Sequence, residues 1–368
     1  MPKTPLMKRC VLLVLTVALI GATTGQAPAG LSRKADRATV EARQRFFGAE
    51  NVDPRTGAVR DDRVILSWFS VASYAASFNG HVVLLDGWIA RGTHSGYVPT
   101  SPEEVAALDP EYIFIGHGDF DHAADVAEIA RRSGATVVGS PEHCDSVNEQ
   151  AGEKVQCKAI VPEAAPPGFV WHGQNFLPGV DITAVVHVHS SVERPEPDPD
   201  RPPCPPIWNP QDTVEHPPTA EDAAHQVRHL PDARGANILY QFRVGKFSLV
   251  HHDTVGKIDD NPLVVQALES LPETDVELGA VLAFGQVTNC LRSLGLYLRT
   301  LQPTVYAATH HDNFTLIGTN ARQLEPYVRA ELKRLPKKIR PALLYTYDPD
   351  DYLNPDAFTF DPTEARWR

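Results

Sequence analysis

The chain has 368 residues, of which 42% are hydrophobic and 22% are charged, and its net charge is −12. This length is enough for one large α/β domain or two small ones. An acidic surface repels phosphate, so nucleic acid is not an expected partner. We expect a small-molecule substrate instead.

The first 29 residues have the layout of a secretory signal peptide. Lys3, Lys8 and Arg9 form a positive start, residues 10–22 are an apolar run too short to span a bilayer comfortably, and small residues follow. Loss of these three cations takes the net charge from −12 to −15. We therefore expect a secreted or periplasmic protein with no stable membrane contact after signal removal. An N-terminal membrane anchor is the alternative.

Residues 30–368 are predicted to form one α/β domain in which short strands alternate with helices. The predicted strands are 64–73, 81–86, 111–116, 135–139, 180–189, 237–244, 246–253, 278–284, 303–308 and 342–347. The predicted helices are 38–47, 122–132, 141–151, 288–301 and 325–335. Asn79-Gly80 is a hairpin signal between the first two strands, and the second strand brings Asp86 to a sheet edge.

Residues 190–235 differ in composition from the rest of the domain. Ten prolines lie between Pro195 and Pro218, which argues against a regular sheet or helix in this insertion. One interpretation is a loop over the functional site, with Trp208 and His225 or His229 as substrate contacts. The other is a solvated excursion with no role in binding.

Four cysteines follow the predicted signal peptide: Cys144, Cys157, Cys204 and Cys290. They form no C-x-x-C pair, so the sequence lacks a zinc ribbon or thioredoxin-type motif. An even number of cysteines in an exported protein predicts disulfides. Cys144–Cys157 is the preferred bridge because the two residues bracket one short helix and its exit loop. The pairing of Cys204 with Cys290 is left open.

One stretch carries an unusual density of potential metal ligands. An apolar strand is followed directly by His117, Asp119, Asp121 and His122. A helix cap would account for one of these side chains and not for the other three. Three more predicted strands end in such residues, at 187–189, 251–253 and 310–312. Loops at one edge of a sheet bring ligands together from distant parts of the chain, so the pattern predicts a metal site.

The motif His117-x-Asp119-x-Asp121-His122 resembles the H-x-H-x-D-H signature of the metallo-β-lactamase fold hydrolases. Strands ending in His189, Asp253 and His310 then follow in the family's order. The resemblance covers residues 60–347 and is greatest to the branch of the ascorbate-6-phosphate lactonase-like proteins. It implies an α/β fold built as an αβ/βα four-layer sandwich.

The resemblance also implies two adjacent metal ions. The first would be bound by His117, Asp119 and His189, the second by Asp121, His122 and His310, and Asp253 would bridge both. His187 and His311 compete for the roles of His189 and His310. His189 is preferred because it ends its strand, and His310 because it precedes His-Asp-Asn-Phe as the family's ligand does.

Zn²⁺ is the expected metal because mixed histidine and aspartate ligation suits it. Asp119 stands where the family usually has a histidine, and a carboxylate is a harder metal ligand than an imidazole. Mn²⁺, iron or a single-metal enzyme are therefore alternatives. Two ions would acidify a water molecule and so supply hydroxide near neutral pH. Asp121, as the catalytic residue, would orient this hydroxide and accept a proton.

The expected reaction is hydrolysis of an ester, lactone or lactam-type bond in a small molecule. Phosphodiester hydrolysis is the second candidate, and Arg91, Arg194 and Lys257 are the cations that would favour it. A third hypothesis, from another class, is a binding protein that keeps the scaffold without turnover. The oligomeric state is left open.

Overall fold

The computed structural model describes residues 36–89, 99–190, 217, 219–281, 291–312 and 321–367. Several sequence predictions fall outside these residues: the signal peptide at 1–29, Arg91, Arg194, Cys204, Trp208 and Cys290. No helix within the described ranges has the length and apolar character needed to cross a membrane.

The strands of the described residues form two seven-stranded sheets. The first sheet contains β1 (Val64–Ser70), β2 (Ser73–Phe78), β3 (His81–Leu85), β4 (Tyr112–Phe114), β5 (Thr136–Gly139), β6 (Cys157–Ala159) and β14 (Thr359–Phe360). The second contains β7 (Val170–Leu177), β8 (Val180–Val186), β9 (Ile238–Val244), β10 (Phe247–His252), β11 (Val276–Ala280), β12 (Val305–Thr309) and β13 (Ala342–Leu344). Their orders are β14-β1-β2-β3-β4-β5-β6 and β13-β12-β11-β10-β9-β8-β7.

Each sheet is antiparallel in one part and parallel in the other. In the first, β3 to β6 are parallel neighbours, and in the second, β10 to β13 are. The parallel strands need crossover connections, which the helices supply. As a result, the loops that follow β3, β4, β10 and β12 come at the carboxyl ends of parallel strands, where α/β folds build their sites.

Helices cover the outer face of each sheet. The helices of the described residues are α1 (Arg37–Phe47), α2 (Pro102–Ala107), α3 (Phe120–Ala123), α4 (Val126–Ser133), α5 (Pro141–Ala151), α6 (Ala220–His229), α7 (Pro262–Glu269), α8 (Arg292–Leu301) and α9 (Ala321–Arg334). α1, α2, α4 and α5 share a hydrophobic cluster with the first sheet, and α7, α8 and α9 pack on the second. This arrangement is the four-layer αβ/βα sandwich, so the predicted fold is confirmed.

The central core lies between the two sheets. Trp68 on β1 faces the second sheet, whereas its neighbour Phe69 packs toward the helices. Phe78 of the first sheet stacks on Phe242 of the second with ring centroids 4.6 Å apart. Burial of each such side chain stabilises the fold by about 1.5–3 kcal/mol. A strand covered on both faces reads as a nearly continuous apolar run, and β1 is apolar apart from Ser67 and Ser70.

Two sequence predictions about these elements are wrong. Residues 64–73 are not one strand, because a turn at Val71-Ala72 separates β1 from β2. Both turn residues are buried, so the apolar run continues through the turn and hides it. The segment 190–235 does contain a helix, α6, which begins directly after the last of the ten prolines. Thr219 and Asp222 form a reciprocal capping box at its start.

The predicted disulfide is confirmed. Cys144 on α5 and Cys157 at the start of β6 are bonded, with their Cα atoms 5.6 Å apart. The bridge ties the helix to the edge strand that follows it.

Candidate metal centre

Six of the seven predicted ligands form two clusters of donor atoms. The first cluster consists of His117, Asp119 and His189, which follow β4 and β8. Nε2 of His117 lies 3.1 Å from Nε2 of His189. Oδ2 of Asp119 lies 3.4 Å from the first of these nitrogens and 3.3 Å from the second. Three donor atoms thus converge on one point.

The second cluster consists of Asp121, His122 and His310. Nε2 of His122 lies 3.1 Å from Nε2 of His310. Oδ2 of Asp121 lies 3.6 Å from Nε2 of His122 and 3.3 Å from Nε2 of His310. This cluster therefore repeats the donor set of the first, with two imidazole nitrogens and one carboxylate oxygen.

The hydrogen bonds on the far side of the rings show that the first cluster suits a cation. Nδ1 of His117 faces Oδ2 of Asp253 at 2.7 Å, and Nδ1 of His189 faces the carbonyl of Ser190 at 2.7 Å. Both partners are acceptors, so each Nδ1 carries a proton, and each Nε2 faces the other donors of the cluster, where it can bind either a second proton or a metal ion. Two lone pairs and a carboxylate that converge repel one another unless a positive charge lies between them.

The spacing of the donors agrees with this conclusion. Tetrahedral ligands of Zn²⁺ bound at about 2.0–2.1 Å lie roughly 3.3 Å from one another. The separations in the two clusters scatter around that value. The clusters also adjoin, because the rings of His117 and His122 have centroids 4.1 Å apart and Asp121 lies within reach of both. The residues present fit two neighbouring divalent cations.

Two buried carboxylates support the clusters from behind. Asp86 accepts from the backbone N–H of Gly116 at 2.9 Å and from Nδ1 of His122 at 3.0 Å. Asp253 contacts Nδ1 of His117, as described, and Nδ1 of His122 at 3.5 Å. A carboxylate behind a metal-binding histidine fixes the ring orientation and its tautomer. A Cβ atom at Gly116 would overlap the Asp253 carboxylate, so this close approach requires glycine.

The position of Asp253 differs from that of the other predicted ligands. Its carboxylate faces the Nδ1 side of the His117 ring, whereas the other donors meet on the Nε2 side. The same oxygen lies 3.5 Å from Nδ1 of His122, so Asp253 contacts one histidine of each cluster. In this geometry Asp253 orients the two rings, and its bridging of two metal ions stays a prediction.

The competing histidines have other partners. Nδ1 of His187 lies 2.7 Å from the hydroxyl of Tyr297, deep in the second sheet. Nε2 of His311 donates to the carbonyl of Thr346 at 2.8 Å, and its ring stacks on Trp68. The structure therefore places His189 and His310, and neither competitor, among the converging donors.

The electrostatics reflect the close packing of charges. Burial lowers the pKa of His117, but the carboxylates of Asp253 and Asp119 more than offset this and raise it well above its ordinary value. Burial and the charge on His117 lower the pKa of His122 to about 3. Burial raises the pKa of Asp121, but His122 and His310 outweigh it and the net pKa is lowered. Asp121 is thus ionised at neutral pH.

The two clusters differ in exposure. The side chains of His189 and Asp119 are 39% and 35% exposed, whereas those of His122 and His310 are 0% and 2% exposed. A small molecule would therefore approach from the side of the first cluster.

The described part of the insertion lies against this site. Nε2 of His225 on α6 is 3.2 Å from Oδ1 of Asp125, and its ring stacks on Trp88. Nδ1 of His229 contacts Asp232 at 2.8 Å. The two histidines that were alternative predicted substrate contacts thus pack against the protein itself in this structure, and Trp208, the other predicted contact, lies outside the described residues. A Cβ atom at Gly118, between the first two ligands, would overlap the carbonyl of Arg234 from the same segment.

Sequence reasoning missed the role of Asp86, which was expected at a sheet edge. It lies instead at the end of β3, inside the first sheet, and is fully buried. The signal was present, because Asp86 directly follows an apolar strand, as Asp253 does, and precedes a glycine, as His117 does.

Comparison with known proteins agrees with this architecture. Residues 92–192 match the metallo-beta-lactamase superfamily. This similarity agrees with the resemblance carried by the motif at 117–122. Its place in the ascorbate-6-phosphate lactonase-like branch stays a prediction.

Two curated relatives and one solved structure illustrate the likeness. The chain is 34% identical over 91 residues to a UPF0173 metal-dependent hydrolase of Pyrobaculum neutrophilum, which covers 25% of this chain and 39% of the relative. It is 30% identical over 126 residues to a UPF0173 metal-dependent hydrolase of Methanopyrus kandleri, which covers 34% of this chain and 47% of the relative. The chain thus spans less than half the length of either relative.

The solved structure is Igni18, described as a novel metallo hydrolase from the hyperthermophilic archaeon Ignicoccus hospitalis. It aligns with a TM-score of 0.50 and 17% sequence identity, over 78% of this chain and 96% of that chain. At this level of identity the likeness supports the fold alone.

Proposed function

We propose that the protein is a metal-dependent hydrolase that holds two divalent cations and cleaves an ester, lactone or lactam-type bond in a small molecule outside the cytoplasm. The observation that carries the proposal is the pair of adjoining donor clusters, each with two imidazole nitrogens and one carboxylate oxygen. Asp119 and Asp121 hold the same place in the two sets. Zn²⁺ suits both sets, and Mn²⁺ or iron are the alternatives.

Two such cations would lower the pKa of a water molecule toward neutrality and polarise the oxygen of the bond to be cleaved. Asp121 is ionised at neutral pH and lies within reach of both clusters, so its carboxylate can orient that water and accept its proton. Asp86 keeps His122 in the tautomer that presents Nε2 to the site. The buried second cluster excludes bulk water, while the exposed first cluster admits the substrate.

Three further observations support the substrate class and the location. Lys257, one of the cations expected to favour a phosphodiester, is paired with Asp260 at 2.8 Å. The net charge of −12 does not attract a polyanion. The Cys144–Cys157 disulfide is typical of proteins outside the reducing cytoplasm.

The test measures metal content per chain by plasma mass spectrometry, together with turnover of ester, lactone, lactam and phosphodiester substrates. Wild type should hold two ions and cleave at least one carboxyl-type substrate. Asp121→Ala should hold fewer ions and lose turnover, because it removes a donor of the second cluster. Asp145→Ala, the same change at an exposed position of α5, should match wild type.

Three results would contradict the proposal in different ways. Two ions without turnover would favour the binding-protein hypothesis. Cleavage of phosphodiesters alone would replace the substrate class. Wild type that binds no metal after reconstitution would remove the hydrolase interpretation.

A further inference from the structure

The turn between β1 and β2 has an unusual backbone. Val71 is β-branched and fully buried, and its φ is 47°, in the left-handed region. Such a conformation is unfavourable for a β-branched residue and persists where the surrounding structure holds it in place. His310, a donor of the second cluster, also has a positive φ, of 63°. Two strained residues therefore meet beside the candidate metal centre.

Four hydrogen bonds hold Val71. Its carbonyl oxygen accepts from Nε1 of Trp68 at 2.9 Å, from Oγ1 of Thr309 at 2.7 Å and from the backbone N–H of His310 at 2.9 Å. Its own N–H donates to Oδ2 of Asp312 at 2.9 Å. The backbone of His310 is thus tied to the turn, and the turn is tied back to the residue two positions after His310.

Asp312 joins three parts of the chain. Its carboxylate is fully buried and receives the N–H of Val71 and the hydroxyl of Tyr352, the latter at 2.5 Å. These donors belong to the β1–β2 turn and to the C-terminal segment, while Asp312 itself follows β12. Hydrogen bonds to a charged acceptor are roughly twice as strong as neutral ones, so this buried carboxylate is a firm anchor.

The anchor bears on the position of a donor atom. Nε2 of His310 must lie near both His122 and Asp121 for the second cluster to form. The next residue, His311, is turned away and stacks on Trp68, so the chain reverses the direction of its side chains within one residue.

We propose that Asp312 is a positioning residue for the second metal ion: by holding Val71 and Tyr352, it fixes the backbone of His310 and so completes the second cluster. The proposal rests on the proposed metal-binding function and concerns one of its two sites. Asp312 itself does not touch the ion.

The experiment titrates the metal-free full chain with Zn²⁺ in competition with a chromophoric chelator. Near-ultraviolet circular dichroism monitors the tertiary structure of each variant. In Asp312→Ala the ion of the first cluster should bind as in wild type. The ion of the second cluster should bind about 10–100-fold more weakly, which is the usual effect of losing a supporting residue. Asp312→Asn retains the shape of the side chain without its charge and should weaken ion binding at the second cluster by a smaller factor.

His189→Ala is the matched control, because it removes a donor of the first cluster. This variant should lose the ion of the first cluster and keep the ion of the second. The double variant with His189→Ala and Asp312→Ala should have no tight site. The proposal is overturned if folded Asp312→Ala, or Asp312→Asn where the alanine variant does not fold, binds both ions as tightly as wild type. Equal weakening of both ions would also overturn it, since that indicates general loss of structure.

Failure of the hydrolase proposal can be distinguished from failure of the positioning role proposed for Asp312. A wild-type protein that binds two ions and cleaves none of the substrates would contradict the hydrolase proposal, but the titration would still test the role of Asp312. A wild-type protein that binds fewer than two ions would overturn both proposals.

Discussion

The protonation of His143 should make the stability of the fold depend on pH. The side chain is buried at the start of α5, and its Nδ1 accepts a hydrogen bond from the backbone N–H of Ser140 at 3.1 Å. Burial, followed by the nearby charge of His117, lowers its pKa to about 4. A proton on Nδ1 would place two donors face to face, so the folded protein keeps this ring neutral.

The direction and size of the effect follow from the two pKa values. A histidine in an unfolded chain has a pKa of about 6.5. As the pH falls below 6.5, the unfolded state binds a proton that the folded state does not take up until about pH 4. Stability is therefore complete above pH 6.5 and is lost through this window. A shift of about 2.5 units corresponds to about 3 kcal/mol in total, of which about 2 kcal/mol is lost by pH 5.

The test compares wild type with His143→Asn by urea unfolding at pH 7.5 and pH 5. Asparagine places an oxygen acceptor close to the position of Nδ1 and does not titrate. The metal-free protein is used, so that acid release of ions does not add to the slope. Between the two pH values wild type should lose about 2 kcal/mol more stability than the variant. Equal losses in the two proteins would show that His143 does not carry the effect.

Two further changes test the metal preference of the first cluster and the contribution of the disulfide to stability. Asp119→His gives the first cluster three imidazoles and removes its charge, so the ratio of bound Zn²⁺ to Mn²⁺ in a competition experiment should rise; an unchanged ratio would show that Asp119 does not set metal preference. Replacing Cys144 and Cys157 together by alanine opens a loop of sequence separation 13 and should cost about 3 kcal/mol of unfolding free energy in urea. A loss below about 1 kcal/mol would argue against a stabilising bridge.

Much of the candidate site is predictable from the sequence because the ligands follow apolar strands. In an α/β sandwich these strand ends meet at one edge, so His117, His189 and His310 converge although they are far apart in the chain. The hydrophobic pattern locates the strands, and the residue types that follow them identify the chemistry. No knowledge of side-chain direction is needed for that step.

The direction of each side chain is the part that the sequence does not determine. Asp253 ends its strand as the other ligands do, yet its carboxylate meets the opposite ring nitrogen of His117. The difference depends on the space that Gly116 leaves open, which is a property of the packed structure. In the same way, the split between β1 and β2 depends on the backbone of Val71, whose apolar, β-branched side chain gives no sign of a turn.

The elements that sequence analysis missed have a common physical cause. β7 is an edge strand with mostly part-exposed side chains, so it lacks the apolar run that marks a buried strand. α6 has no buried residues, and its amphipathic signal is obscured by the prolines that precede it. Its start is nevertheless encoded in Thr219-x-x-Asp222, so capping residues were the more reliable guide in this segment.

The two clusters show why a donor set alone does not define a metal site. Each cluster offers two imidazole nitrogens and one aspartate oxygen, and on ligand chemistry they are equivalent. Their surroundings differ, because the first is more than one-third exposed at His189 and the second is closed around His122 and His310. Lower dielectric strengthens the attraction between a cation and the buried donors, whereas solvent screens the exposed ones. Under the proposed function, the fold therefore separates the roles of the two chemically equal clusters: the buried one is suited to retaining an ion and the open one to meeting a substrate.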